Sequence, residues 1–286
     1  MADVDAAVVI MREAWHPRVA IDLLAAGKHV FIEKPLAPSA VVGEEMVRAS
    51  RDSGCLLMVG YMKRYDDGVR IAREVVRGLL ASGELGRPTM VRLHCFGGDW
   101  ICGLRAPVAT DEPAPAYPGA PGPDNLPQKL HGPFAVFLNV YCHNLNLLRF
   151  FLGDEVDSLA AHWTDNAKLI LLDAGGVPVS AEFGHMSAHA WDESTTFYFE
   201  HGRVEVLTPP PLLRNVPARV VVYRTREKGE VIEPLLPWTW AFANEARAFV
   251  NTCLGRDECV SRAEDALKDL ILAERIGAQA AEEALC

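Results

Sequence analysis

Short apolar runs alternate with amphipathic stretches in the first part of the chain. The apolar runs are 4–11, 30–32 and 55–60. Runs of this length are typical of strands buried on both faces of a parallel sheet. The stretches between them, 17–26 and 39–53, predict helices that end at Gly27 and Gly54, where glycine is the usual stop signal. The order strand, helix, strand, helix, strand predicts a parallel sheet with right-handed crossovers.

The rest of the chain has a different pattern, in which apolar and polar residues alternate with a period of two. This pattern predicts strands at 89–96, 157–164, 167–173, 178–185, 195–201, 203–207 and 219–224. Helices are predicted at 66–82, 134–152 and 238–254, and the last helix opens at a capping box formed by Ser261 and Glu264. We therefore predict an α/β protein with a parallel sheet in front and a large, mainly antiparallel sheet behind it.

A proline-rich stretch, 97–132, separates the fourth predicted strand from the apolar helix. Its prolines exclude regular secondary structure over most of its length. Structureless segments this long are uncommon and are usually functional lids, interface arms or disordered. We favour a lid or an arm.

Composition and charge exclude several classes of protein. The chain has 286 residues and a formal net charge of −10, which argues against a nucleic-acid surface. No apolar run is long enough for a membrane span, and the N-terminus lacks the features of a signal peptide. The 7 cysteines are scattered and form no C-x-x-C motif, so we expect free thiols in a cytoplasmic protein and no metal site.

Candidate chemistry lies first at the end of the second predicted strand. Glu33 and Lys34 follow the buried run 30–32, and Pro35 stops the strand. Ligands of open α/β sheets bind at the carboxyl ends of the strands. Lys34 is therefore placed to polarise a substrate oxygen, and the alternative is a solvated ion pair at a strand end.

A polar stripe on the apolar helix 134–152 is the second candidate. Asn139, His143 and Asn146 share one face at helical spacing. Because buried polar groups need partners, three of them on one stripe favour a site over a structural histidine. Histidine is a natural general base near neutral pH, and amides on either side suit hydroxyl groups.

The ordered motifs resemble the glucose–fructose oxidoreductase / inositol dehydrogenase (Gfo/Idh/MocA) family. AGKHVFIEKP at 26–35 is similar to the family's A-G-K-H-V-x-x-E-K-P, and VGYMKRYD at 59–66 to its V-G-[FY]-x-x-R-[FY]-D. SGELGRP at 82–88, HNLNLLRFFLG at 143–153 and EDAL at 264–267 resemble further family motifs in the same order. The resemblance extends over nearly the whole chain.

The resemblance implies a Rossmann domain that binds NAD or NADP, followed by a second domain whose sheet commonly forms oligomers. It places a partial dinucleotide-binding domain at 1–62 and a substrate and oligomerisation domain at 63–286, with the last helix packing back on the first domain. It implies a sugar, cyclitol or polyol substrate and a homo-oligomer formed through the antiparallel sheet, while the charge and the apolar pattern predict no nucleic-acid or membrane partner.

Site residues are carried over from the same motifs. The resemblance implies that Lys34 and His143 are catalytic, that Asn139 stands at a third catalytic position, and that Pro35 follows a cis peptide. The cofactor is expected to contact Met11, Arg12, Trp15, His16, Glu33, Lys34 and Pro35. The substrate is expected to contact Lys63, Arg64, Asn139 and Asn146.

Two features depart from the family pattern. Asn139 and Asn146 stand where the family has aspartates, so two negative charges are missing beside His143. Asparagine cannot stabilise an imidazolium by charge, although it can orient the ring or bind a hydroxyl. These changes suggest a different substrate, weaker base catalysis or lost catalysis.

The glycine-rich G-x-G-x-x-G turn, which binds the pyrophosphate at a helix N-terminus, does not occur in the sequence. The chain begins at what resembles the fourth Rossmann strand, so we expect an N-terminal truncation of roughly 60 residues, the length of two ordinary strand–helix pairs and a strand. We also expect the nicotinamide site to be incomplete and the first strand to be an exposed edge.

Three hypotheses follow. The first is an NAD(P)-dependent oxidoreductase that acts on a sugar, cyclitol or polyol hydroxyl and is impaired by loss of the glycine-rich turn. The second is a non-catalytic sugar-binding or assembly protein derived from this family. The third is redox-assisted cleavage of a glycoside.

Overall fold

A computed structural model describes residues 3–103, 111–113, 118–187, 189–225 and 228–283. The first sheet has three parallel strands in the order β1-β2-β3. The strands and their crossover helices are β1 (Ala6–Val9), α1 (His16–Ala25), β2 (His29–Glu33), α2 (Ala40–Ser53) and β3 (Leu57–Gly60). This confirms the predicted parallel sheet, in which β1 and β3 are four and two residues shorter than their apolar runs and β2 is two residues longer.

The second sheet has eight strands in the order β11-β10-β9-β8-β4-β7-β6-β5. The strands are β4 (Pro88–Gly97), β5 (Val156–Trp163), β6 (Ala167–Ala174), β7 (Val177–His185), β8 (Asp192–Phe199), β9 (Gly202–Leu207), β10 (Arg219–Thr225) and β11 (Gly229–Ile232). Every neighbouring pair is antiparallel except β4 and β7, which are parallel. The mainly antiparallel sheet is thus confirmed.

The remaining helices are α3 (Asp67–Ser82), α4 (Gln128–Leu152), α5 (Ala241–Cys253) and α6 (Ala263–Glu283). Helix α4 begins six residues before the predicted start and continues through Pro133, where one intrahelical hydrogen bond is lost. Packing of the fully buried Phe137 and of Phe134 favours the longer helix. Helix α6 begins at Ala263, one residue later than a Ser261 cap requires, and the Ser261 hydroxyl instead pairs with the Tyr65 hydroxyl, 2.9 Å away.

The two sheets share one hydrophobic core. Buried residues of the small sheet, such as Ile32 and Val59, belong to the same cluster as Val179 and Phe183 of the large sheet. Helix α6 contacts α2, α4 and β5. The carboxyl ends of β2 and β3 are therefore held against α4, which carries the polar stripe.

A buried aspartate joins α3 to the large sheet. The Asp66 carboxylate accepts hydrogen bonds from the amides of Gly68 and Val69, which cap α3, and from the amide of Ala218 beside β10. A Cβ on Gly68 would lie 1.9 Å from the Ala218 carbonyl oxygen, so only glycine permits this approach. Asp66 thereby holds the end of the VGYMKRYD segment in place.

Candidate active site

The Lys34 side chain crosses from the end of β2 to helix α4. Its ammonium donates to the Asn139 side-chain oxygen at 2.6 Å and to the Asn139 carbonyl oxygen at 2.7 Å. The Lys34–Pro35 peptide is cis. Because Asn139 is exposed and Lys34 is half-buried, this contact lies at the open side of the space between the small sheet and α4.

His143 lies one helical turn deeper than Asn139 and is almost completely buried. The Tyr61 ring meets its edge, with the ring centroids 5.9 Å apart and an interplanar angle of 84°. Its Nδ1 is buried and has no hydrogen-bond partner among the described residues. Burial, followed by the positive charges of Lys63 and Lys34, holds the pKa of His143 well below 6.5, so the imidazole is neutral at pH 7.

Lys63 forms a buried ion pair with Glu193, a residue that the sequence patterns did not single out. The Glu193 carboxylate also accepts from the Asn144 side chain at 2.9 Å and from the Trp191 indole at 3.1 Å. These three donors satisfy a carboxylate that is 4% exposed. The ion pair places a second ammonium near His143, since Asn144 follows His143 on α4.

Arg64 and Asn146 are hydrogen-bonded to each other in the core and do not contact Lys34. Arg64 donates to the Asn146 side-chain oxygen at 2.6 Å and pairs with Asp265 at 2.5 Å, while Asn146 donates to Asp269 at 2.7 Å. Arg149 pairs with the same two aspartates of α6. These contacts tie α4 to α6, and the predicted substrate contacts of Arg64 and Asn146 stay predictions.

The predicted cofactor residues lie around the ends of β1 and β2. The His16 ring is fully buried, with Nδ1 3.1 Å from the Pro35 carbonyl oxygen and Nε2 3.1 Å from that of Met11. The Arg12 guanidinium lies over the Trp15 ring, 5.9 Å from its centroid. His16 therefore links the segment after β1 to the proline after β2.

The Glu33 carboxylate lies close to Gly60 of β3. Its carboxylate accepts from the Lys34 amide at 3.2 Å, and burial raises its pKa. A Cβ on Gly60 would lie 3.3 Å from this carboxylate, so the two strands approach closely here. The strand end thus presents Lys34 and Glu33 to different surroundings.

Part of the proline-rich stretch packs over the same edge of the small sheet. The Ala120 amide donates to the Ala14 carbonyl oxygen at 2.7 Å, and the Ser39 hydroxyl donates to that of Pro121 at 3.3 Å. That the stretch acts as a lid or an arm stays a prediction. Residues 104–110 and 114–117 of the predicted lid or arm lie outside the described residues.

The residues at this edge fit the nicotinamide end of a dinucleotide. The edge is the carboxyl end of parallel strands, where such ligands bind in α/β folds. It also offers a buried, unpartnered histidine nitrogen and an ammonium whose only described acceptors are on Asn139. The glycine-rich turn that would hold the pyrophosphate is not part of the sequence.

Fold and site together define the class of protein: a Rossmann-like sheet joined to a large mixed sheet, as in two-domain dinucleotide-dependent oxidoreductases. A family model described as "Oxidoreductase family, NAD-binding Rossmann fold" matches residues 1–61. This is the family model of Gfo/Idh/MocA proteins, which agrees with the resemblance of the sequence motifs.

Curated relatives agree with this assignment. An inositol 2-dehydrogenase of Burkholderia vietnamiensis is 26% identical over 302 residues, which cover 96% of this chain and 79% of the relative. An inositol 2-dehydrogenase of Acidiphilium cryptum is 43% identical over 91 residues, which cover 32% of this chain and 26% of the relative.

Solved structures share the fold. A 3-ketoreductase from Actinomadura kijaniata, in complex with NADP and TDP-benzene, matches with a TM-score of 0.70 at 22% identity, over 96% of this chain and 78% of its own. An aldose-aldose oxidoreductase from Caulobacter crescentus, complexed with glycerol, also has a TM-score of 0.70, at 20% identity over 98% of this chain and 78% of its own. Within the described part of the chain, no helix is long and apolar enough to cross a membrane.

Proposed function

We propose that the chain is an NAD(P)-dependent oxidoreductase that oxidises a secondary hydroxyl of a cyclitol, sugar or polyol. The observation that carries this proposal is the position of the Lys34 ammonium relative to His143. The ammonium contacts Asn139 of α4, and the neutral, buried His143 lies one helical turn further along the same helix. The inositol dehydrogenase relatives and the ketoreductase with its NADP support the substrate class and the cofactor.

In this mechanism His143 removes the hydroxyl proton, and Lys34 stabilises the oxygen as negative charge develops on it. A neutral imidazole with an unpartnered Nδ1 can accept a proton, whereas an imidazolium cannot. A bound nicotinamide supplies the hydride acceptor. Asn139 orients Lys34 through its side-chain and carbonyl oxygens until a substrate oxygen takes over one of the ammonium's hydrogen bonds.

We propose that the Lys63–Glu193 pair serves the same base. With asparagine at 139, the chain lacks the carboxylate that other family members offer to the histidine. The Lys63 ammonium instead repels a proton from the imidazole, which keeps His143 in the accepting form. Glu193 holds that ammonium in place through an ion pair, which offsets the cost of burying it.

The pH titration of His143 tests whether its imidazole is kept neutral. Burial and two cations lower its pKa, so it should remain neutral as the pH falls through 6.5. Proton NMR of the histidine Cε1–H signals tests this, with the His143 signal assigned by its loss in His143→Gln. Since an unfolded chain binds this proton below 6.5 and the folded chain does not, stability should also fall as the pH decreases from there.

A His143 signal that titrates at or above 6.5 contradicts the proposed neutral base. The same spectra of Lys63→Met/Glu193→Gln provide the comparison, because that variant removes the ammonium and its counter-ion together. We expect its His143 pKa to be higher than in the unchanged protein. An unchanged value would assign the lowered pKa of His143 to burial and Lys34 and would refute the role of Lys63.

The competing function is sugar binding without catalysis, which is favoured by the double contact of Lys34 with the neutral Asn139. Fluorescence titration of the full chain with NADH and NADPH, followed by oxidation assays with myo-inositol and aldoses, separates the two. The proposed function predicts saturable quenching and cofactor reduction with at least one polyol. Sugar binding without any cofactor binding at millimolar concentrations favours the competing function.

Self-association through the large sheet is part of the proposal. Leu159, Leu169 and Leu171 lie 55–61% exposed on the outer face of β5 and β6. On this stretch of β6 the intervening positions are buried, so the leucines form an apolar surface on the face that points away from the core. Such a surface supports a homo-oligomer.

A further inference from the structure

A cavity that Lys34 and His143 do not line lies beside Arg64 and Phe150. Its volume is about 380 Å³, and it is bounded by α3, the C-terminal end of α4 and the start of α6. Small-ligand pockets typically have volumes of roughly 300–1,000 Å³. We call it the arginine cavity because its lining includes Arg64, Arg73 and Arg262.

The cavity concentrates positive charge in a protein whose formal net charge is −10. Arg64, Arg73, Arg262 and Lys268 line it together with two acidic residues, Glu264 and Asp265. Like charges so close together repel one another. Burial and the charges of Arg77, Arg64 and Arg70 lower the pKa of Arg73. An anion in the cavity would remove this repulsion.

The acidic lining residues are already matched by cations. Asp265 pairs with Arg64 at 2.5 Å and with Arg149 at 2.7 Å, and Glu264 lies 3.5 Å from Arg51. Lys268 in turn pairs with Asp154. The surplus positive charge of the cavity therefore belongs to Arg73 and Arg262.

Arg73 is held in a fixed orientation. Its Nε donates to the Phe150 carbonyl oxygen at 2.8 Å, which satisfies one of the free carbonyls at the end of α4. Its guanidinium lies over the Phe150 ring, 4.2 Å from the centroid. The two terminal nitrogens of Arg73 have no acceptor among the described residues, so they remain available to a ligand.

Arg262 is the second arginine of the lining that has no acidic partner. It is exposed, and its guanidinium forms no ion pair or hydrogen bond with the described residues. Its backbone is nevertheless anchored, because Arg262 bridges to Met58 of β3 and its carbonyl accepts from the Asp265 amide at 3.1 Å. Two arginine forks thus line one cavity, a geometry suited to the oxygens of a phosphate group.

We propose that the arginine cavity binds a phosphate group, either free or as the monoester of a small metabolite, through Arg73 and Arg262. The site is separate from the candidate active site, because Phe150 follows His143 by seven residues, about two helical turns or 10 Å along α4. It does not depend on the proposed function.

Calorimetric titration of the full chain with inorganic phosphate at constant ionic strength tests this proposal. We expect saturable binding that Arg262→Ala weakens about tenfold, since a charge-assisted hydrogen bond to phosphate is lost. Arg48→Ala is the matched control, because Arg48 is an exposed arginine of α2 outside the cavity and should leave binding unchanged. Titration with glycerol 2-phosphate distinguishes a monoester from free phosphate as the preferred ligand.

Two results would overturn the site. One is the absence of saturable binding of both phosphate and glycerol 2-phosphate at millimolar concentrations. The other is an equal loss of affinity in Arg262→Ala and Arg48→Ala, which would reflect net charge alone. The melting temperatures of both variants should match that of the unchanged protein, because neither guanidinium has a described partner to lose.

Discussion

Replacing Lys34 with alanine is expected to reduce turnover by about 10²–10⁴-fold, the usual contribution of general acid–base and polarising groups. The ammonium is the cation at the end of β2 that reaches the Asn139 oxygens on α4, at 2.6 and 2.7 Å. Its loss leaves the developing charge on the substrate oxygen without a counter-charge. Cofactor reduction at saturating polyol measures the effect, and circular dichroism checks the fold.

Lys129→Ala is the matched control for this prediction. Lys129 is an exposed lysine at the start of the same helix, α4, and should be replaceable without change in turnover. Equal turnover of Lys34→Ala and Lys129→Ala would refute the role assigned to Lys34. Lost turnover together with retained NADH binding would locate the defect in the chemical step.

Replacing Glu193 with alanine is expected to lower the free energy of unfolding by roughly 3–5 kcal/mol, because it leaves the Lys63 ammonium buried without a partner. Asn144 and Trp191 lose their acceptor at the same time. The melting temperature should fall by roughly 5–8 °C, which scanning calorimetry measures. Turnover should fall as well, since Asn144 adjoins His143.

The double variant Lys63→Met/Glu193→Gln provides the control. It removes both charges but keeps an oxygen that can accept from Asn144, so most of the lost stability should return. If Glu193→Ala is as stable as the unchanged protein, the ion pair does not support the site. If the double variant is less stable than Glu193→Ala, the expected recovery is refuted, and the charges of Lys63 and Glu193 themselves stabilise the core.

The elements of the small sheet were predictable because their signals are local. A strand buried on both faces is a short apolar run, and the helices between such strands end at glycines. Gly54 adopts the expected left-handed conformation at the end of α2, with φ of 68°. The strands of the large sheet followed from alternation, since one face of that sheet packs on the core.

Strand β11 and the start of α4 were not predicted. Three of the four β11 residues are exposed, so the strand lacks apolar alternation and is held by pairing to β10. Helix α4 continues through Pro133 because its buried aromatic residues pack on the core. In both cases the deciding interactions come from other parts of the fold.

Some residues of the candidate site could likewise be predicted from local sequence signals, and others could not. Lys34 and His143 could be selected from the sequence, because one stands at a strand end and the other on a polar stripe within a helix. Glu193 could not be selected from the sequence, because it lies in a polar stretch like that of a solvent-exposed residue. Its partner Lys63 is 130 positions away in the chain. Arg64 and Asn146 were expected at the substrate, and the structure places them between α4 and α6.

By itself, the sequence determined the parallel and the mainly antiparallel sheets, the lysine at the end of β2 and the histidine on α4. These depend on residue order and periodicity, which act over a few neighbouring positions. Tertiary structure alone decided that Lys34 contacts Asn139, 105 positions away, that Glu193 neutralises Lys63, and that Arg73 and Arg262 line one cavity. The physical reason is that buried charges take whichever partners the packed helices and sheets bring within reach, and no local pattern encodes that choice.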